Sequence, residues 1–422
     1  MSAGPLRLSI RIRVQIAALA IVTAATLLAT WLLGQSAGAY QSAVRQDAKR
    51  YAAVVEDIRT VYGDEAPRAF RTAVAEARAQ RLRPLRREGR LAASEYVLAD
   101  RFAVHTRGAA PRDSLLGNGG YRNHDLGYDL PRRLVDLQHD SPALYEVDPE
   151  ATMHDGDRWA AWGLAAAAAG AAAVIAAAIA ANIIRPRRWQ AARSPSGQGV
   201  LHVVEFLPQP AVARAGHRRG VLFHLAVFVL PLLLTLGQIL VAGGEQRAQA
   251  EAARKVVQAN ASVEGYGLRA SFRTEAVQTA LDVEFAATAR ELASLDTGTA
   301  PRDARHERVV ATVENMLAAQ VQQIAVFMGR APDRQDRLDS ASAAVLSNPP
   351  EKLTATLAEQ NRQVSLADEA GRRALLLSAA TAVAVVAEIL VVAAFAVGYR
   401  RWLWWPALGG LIATALAASA FL

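Results

Sequence analysis

Residues 221–242 read VLFHLAVFVLPLLLTLGQILVA, 22 positions without one Asp, Glu, Lys or Arg. A hydrocarbon core of ~30 Å is crossed by ~20 helical residues at ~1.5 Å each, so this stretch specifies a membrane span. Four more apolar runs of comparable length lie at 14–33, 159–184, 374–397 and 402–422. The expected fold class is therefore an all-α integral membrane protein with five transmembrane helices and two extracytoplasmic, mainly helical domains in tandem.

The corresponding division is a basic tail at 1–13, helices at 14–34, 158–184, 221–242, 374–397 and 402–422, outer domains at 35–157 and 243–373, a basic loop at 185–220 and a turn at 398–401. Arginines set the orientation. Arg7, Arg11 and Arg13 precede the first run, and the loop at 185–220 carries Arg185, Arg187, Arg188, Arg193, Arg214, Arg218 and Arg219 against the single carboxylate of Glu205. Short basic loops stay inside, which places the N-terminus in the cytoplasm and the C-terminus at the outer face of a bacterial cell membrane. Arg372 and Arg373 run against this bias, but they end a long polar domain, where the rule is weaker. A basic start followed by Ser36, Ala37, Gly38 and Ala39 resembles a cleavable leader. Its apolar core of about 20 residues exceeds the ~7–15 of a leader peptide, so a retained anchor is expected.

The net charge of +8 is concentrated in the expected inner loops, where topology accounts for it, so nucleic acid is not an expected partner. Of the 47 basic residues only Lys49, Lys255 and Lys352 are lysine, a bias of lineage and not of mechanism. The chain has no cysteine, which excludes disulfides, thiolate catalysis and cysteine-ligated metal. No cofactor is implied.

Apolar residues recur at helical spacing in both outer stretches. Val44, Ala48, Tyr51, Val55, Ile58 and Tyr62 make one stripe; Val277, Leu281, Phe285 and Leu292 a second; Val310, Val313, Leu317, Val321, Ile324 and Met328 a third; Leu353, Leu357, Val364 and Ala367 a fourth. Such stripes are read as core, or as seams for a protein partner or a second copy, with a ligand groove as the alternative. Between 107 and 157 glycines and prolines break the helical period, and Tyr121, Tyr128 and Tyr145 are expected to anchor a folded loop region. The second apolar run, rich in alanine with Gly163 and Gly170, is expected at a helix interface because small side chains let backbones approach.

Four features suggest chemistry. Gly34, Gln35, Ser36, Ala37 and Gly38 fit G-x-S-x-G, but a serine elbow needs a strand before it, and here an apolar helix precedes. His124, His139 and His154, with Asp155 and Asp157, offer imidazole and carboxylate ligands for a metal, although their spacing matches no compact site. The carboxylates of Asp148, Glu150, Asp155 and Asp157 lack the spacing of a calcium loop. Glu388 lies in the middle of the fourth run, where an ionised carboxylate is costly, and His224 in the third is a possible partner.

VYGDEAPRAF at 61–70, LGYDLPRRLVDL at 126–137 and ALYEVDPEA at 143–151 resemble segments of uncharacterised multi-pass membrane proteins of actinobacteria. The resemblance implies a cell-envelope protein and carries no activity. The alternation of spans and outer helices is also similar to the input half of bacterial transmembrane receptors, by architecture alone, yet the 36-residue inner loop is too short for an output domain. The expected function is non-enzymatic: outer sensing, binding or scaffolding through a partner in the bilayer. The alternative is a transport component using Glu388.

Overall fold

The computed structural model describes residues 10–87, 89–124, 126–183, 218–295, 301–332, 337–347, 350–397 and 404–421. Nearly all of them are helical. The principal helices are α1 (Ile10–Ile58), α2 (Ala66–Leu82), α3 (Arg90–Gly108), α4 (Leu130–Asp140), α5 (Pro142–Tyr145), α6 (Pro149–Ile183), α7 (Arg218–Ser294), α8 (Pro301–Met328), α9 (Ser340–Ser347), α10 (Pro350–Val397) and α11 (Trp404–Ser419). α5, α6, α8 and α10 each begin at a proline, whose fixed φ and missing N–H suit a first helical position. α10 starts at Pro350, the second of two consecutive prolines in the sequence.

Four helices, α1, α6, α7 and α10, are long and apolar enough to cross a membrane. The fifth expected span falls on α11, a shorter apolar helix of 16 residues. The basic loop expected at 185–220 lies almost entirely outside the described residues, as does the turn at 398–401.

The chain forms two compact units, and it passes between them within or at the ends of helices. One unit comprises Met1–Val44, Pro149–Ala252 and Asn361–Leu422; the other comprises Arg45–Asp148 and Ala253–Gln360.

The first unit holds the apolar stretches. α6 lies on α1 through its glycines: a Cβ at Gly170 would come 2.9 Å from the Ala25 Cβ, and one at Gly163 would meet Leu33 at 3.0 Å. The expected interface role of the alanine-rich run is thus met within the chain, with Trp31 and Trp159 edge to face beside it. A second group packs Leu234 and Val241 of α7, Leu377, Ala380 and Ala384 of α10, Ala413 of α11 and Ala420 just after it. α7 continues through Pro231, and the Thr235 hydroxyl donates to the Pro231 carbonyl at 2.8 Å. Leu27, Leu28, Leu233, Leu240, Ile389 and Leu411 are exposed, as side chains facing lipid would be.

The second unit does not confirm the tandem expectation. The stretches at 35–157 and 243–373 do not carry separate cores: Ile58, Tyr62, Phe70, Leu130 and Leu134 from the first pack in one cluster with Phe272, Leu317, Ile324, Met328 and Val345 from the second. Four charges tie the helices together near this core. Arg78 of α2 and Arg290 of α7 each pair with Glu95 of α3 and with Glu314 of α8, whose side chain is nearly inaccessible.

Between α1 and α2 the chain widens into a π-helix, Arg59–Glu65. Pro67 supplies the reason: it has no N–H to give and its ring crowds the carbonyl four residues back, so the preceding turn opens and Ala66 donates to Val61, five residues back. This places Glu65 against Arg133, which donates to it twice at 3.1 Å, while the same carboxylate accepts from the Leu115 N–H at 3.0 Å.

The glycine-rich region folds as expected around its tyrosines. Tyr121, Tyr128 and Tyr145 are all buried; the Tyr121 hydroxyl donates to Asp136 and that of Tyr145 to Asp57. A two-residue antiparallel pair, β1 (Arg122–Asn123) and β2 (Gly127–Tyr128), closes the turn. Gly127 has φ +93° and lies where a Cβ would meet Met328 Sδ at 2.9 Å, so both backbone and packing require glycine there.

Candidate functional site

The strongest candidate lies in the first unit, just past the apolar stretches. After residue 242, α7 carries Gly243 and Gly244, then a charged run; before residue 374, α10 carries Asp368, Glu369, Arg372 and Arg373 around the single Gly371. Positions 244, 247, 248 and 251 share one face of α7, and 363, 366, 370 and 373 share one face of α10, because residues three and four apart are neighbours on a helix. With Glu150 at the start of α6 and Glu369 of α10, these residues line a cleft of about 500 Å³. Gly244, Ala248 and Ala370 keep it open by presenting little or no side chain.

Asp157 anchors one side of the arrangement. It accepts from the Tyr40 hydroxyl of α1 at 2.8 Å and pairs with Arg247 at 3.4 Å, joining α1, α6 and α7. Burial, reinforced by the hydrogen bond to Asp157, pushes the Tyr40 hydroxyl up to about 12, so it remains a neutral donor at any physiological pH. Gly156 makes room for this contact: a Cβ there would come 2.6 Å from the Tyr40 ring. On the opposite wall Arg373 donates to Glu369, one turn earlier on α10.

The lining carries three carboxylates, Glu150, Glu251 and Glu369, two guanidiniums, Arg247 and Arg373, and the amide of Gln363. It offers charge of both signs and hydrogen bonds, with Leu366 as an apolar contact. Among these residues no hydroxyl, thiol, imidazole or amine is present to act as a nucleophile. Such a lining suits reversible recognition of a small polar or zwitterionic group. Sequence reasoning missed it, although the Gly243, Gly244 pair directly after an apolar run was a usable signal.

The residues singled out in the sequence are dispersed. Among the described residues no group of three or more His, Asp or Glu side chains is placed to hold a metal, which corrects the site suggested by His124, His139 and His154 with Asp155 and Asp157. His124 is exposed at the β1–β2 turn, His139 is exposed in the last turn of α4, and His154 is exposed on α6, 4.0 Å from Glu150 and 3.9 Å from Asp157. Asp155 pairs with Arg158 instead. Ser36 of the G-x-S-x-G match is buried within α1, with helix on both sides, so no elbow forms.

Glu388 is half-buried on α10, and no hydrogen-bond or ionic partner faces it among the described residues. Its neighbour Ala387 is in close contact with α11, where a Cβ at Gly409 would come 3.0 Å from the Ala387 Cβ; Gly410 faces open space. His224 lies in α7, and its side chain is outside the described residues.

No protein-family model matches this chain, and neither a curated protein nor a solved structure does.

Proposed function

We propose that the chain is a multi-pass, non-enzymatic protein of the bacterial cell membrane, with five spans including α11, that binds a small polar ligand on its extracytoplasmic side and acts through a partner. The cleft of about 500 Å³ carries this reading, because its walls belong to the same helices that continue as the apolar stretches of α6, α7 and α10. A ligand that drew Arg247 and Glu251 toward Glu369 and Gln363 would favour one spacing of these helices over another, which is the differential contact a sensor needs. The arginine-rich loop at 185–220 supports an outward-facing cleft.

Native mass spectrometry of protein extracted in mild detergent from its own membrane tests the proposal. The expected result is one small-molecule adduct per chain, lost in the Arg247→Gln, Glu251→Gln double variant and retained in Glu388→Gln. Protein that carries no adduct, or an adduct indifferent to the double variant, overturns it. The absence of native cysteine also permits single-cysteine topology mapping. A cysteine at Ser94 should react with an impermeant maleimide in intact cells, and one at Ser196 only after permeabilisation.

The half-buried carboxylate of Glu388 within an apolar stretch supports a second reading, transport. Uptake into proteoliposomes that Glu388→Gln abolishes, with the adduct unchanged, would favour it.

A further inference from the structure

Leu281, Phe285, Thr288 and Leu292 of α7, with Leu295 directly after its last residue, follow one another at steps of four, three, four and three, the spacing of a coiled-coil seam. The stripe is read from sequence as core or seam, and the structure turns it outward. Leu281 is 43%, Phe285 70%, Leu292 64% and Leu295 63% exposed, while the opposite side of the helix, with Phe272, Ala276, Ala280 and Ala287, enters the core. The stripe begins almost forty residues beyond the apolar stretch of α7, so the hydrocarbon layer is not what it is built to meet. Contiguous apolar faces of this kind mark interaction surfaces.

Charge decides what fits. The exposed charged side chains flanking the stripe are Asp282, Glu284 and Glu291, and among the described residues none of these three pairs with a basic group. Residues beside a helix seam select the partner by attraction or repulsion. A second copy laid antiparallel on this face would set carboxylate against carboxylate. We propose that this face of α7 docks a helix of another protein that presents an apolar heptad stripe bordered by Lys or Arg. The inference supplies the partner required by the proposed function, but it stands on a different unit from the cleft and does not need the cleft to be occupied.

The test uses the full chain in phosphatidylcholine nanodiscs and two synthetic amphipathic peptides with the same leucine heptads, one carrying Lys and the other Glu at the flanking positions. Empty nanodiscs supply the background. Two heptads make a short seam, so micromolar binding of the Lys peptide is expected, at least tenfold tighter than that of the Glu peptide. Phe285→Asp with Leu292→Asp should remove it. Glu284→Lys with Glu291→Lys, both at exposed positions, should reverse the preference. Equal binding of the two peptides, or binding of neither, overturns the proposal. A dimer that Phe285→Asp dissociates and the Lys peptide cannot displace assigns the face to a second copy and overturns it also. Arg247→Gln with Glu251→Gln should leave peptide binding unchanged, which separates failure here from failure of the cleft.

Discussion

At Asp57 a partly buried carboxylate accepts from the Tyr145 hydroxyl at 2.5 Å, and the two effects on its proton oppose one another. Burial is the larger and raises Asp57 above the ordinary carboxylate range, while the Tyr145 hydrogen bond and the charge of Arg133 pull it down. The folded state therefore holds this proton more tightly than the unfolded state does. The stability it contributes is complete below the unfolded pKa and is lost as pH rises through the folded one. Tyr145→Phe removes a downward cause, so the folded pKa rises further and the loss grows. The variant should cost about 1.5–3 kcal/mol at neutral pH, the range for a hydrogen bond to a charged group, and less near pH ~4. Thermal melts in detergent across that range should show the gap from the native chain widening with pH, and a gap independent of pH would sink the account. Arg133 makes a sharper case, because it is 7% exposed and its partner Glu65 15%. Arg133→Met should cost about 3–5 kcal/mol by leaving that carboxylate unpaired, whereas adding Glu65→Gln should recover part of the loss. Denaturant titration of the single and double variants measures the difference.

Along an element the informative contrast is between two glycines of α7. A Cβ at Gly265 would lie 2.3 Å from Val345 Cγ1 and 3.1 Å from Ile58 Cδ1, whereas one at Gly267 would meet nothing within 4 Å. Gly265→Ala should destabilise the second unit by about 1–3 kcal/mol through overpacking. Gly267→Ala should stabilise it by up to about 1 kcal/mol through helix propensity. Hydrogen exchange across residues 253–295 reads both, and equal effects would remove the packing argument. Helices α8 and α7 show what periodicity conveys and what it hides. Val310, Leu317, Val321, Ile324 and Met328 of α8 are buried as their spacing implies. On α7 the large residues Val277, Leu281, Phe285 and Leu292 face out, because the inner side is built mainly from alanines that allow close approach and hardly register as an apolar stripe. The π-helix at Arg59–Glu65 was legible only through Pro67, since nothing in the preceding residues distinguishes a π turn from an α turn.

For the molecule as a whole, the long apolar runs announced themselves because a span of the required length is a local property of the chain. The shared core of the second unit did not, because its contacts join residues some 200 positions apart and no local pattern encodes such a pairing. The cleft was hidden for a related reason: Glu150, Arg247 and Glu369 lie on three helices and are brought together only by the packing of the first unit. The shared core has a direct consequence for the chain cut in two. Arg81 of α2 donates to Gln320 of α8 at 3.2 Å, a contact between the two polar stretches at positions accessible to reagents. Cysteines at these positions, in a chain that has none of its own, should be joined by a short bis-methanethiosulfonate within seconds. With a protease site inserted in the loop at 185–220, the cleaved halves should then migrate together on a non-reducing gel and separate on reduction. Either single cysteine should leave them apart. If the stretches formed independent domains in tandem, the double variant would also separate under non-reducing conditions, and helices α2 and α8 would exchange amide protons with unrelated rates. One core predicts instead that both helices open together, since neither stretch can expose Leu317, Ile324 or Met328 without uncovering Tyr62, Phe70 and Leu134 as well.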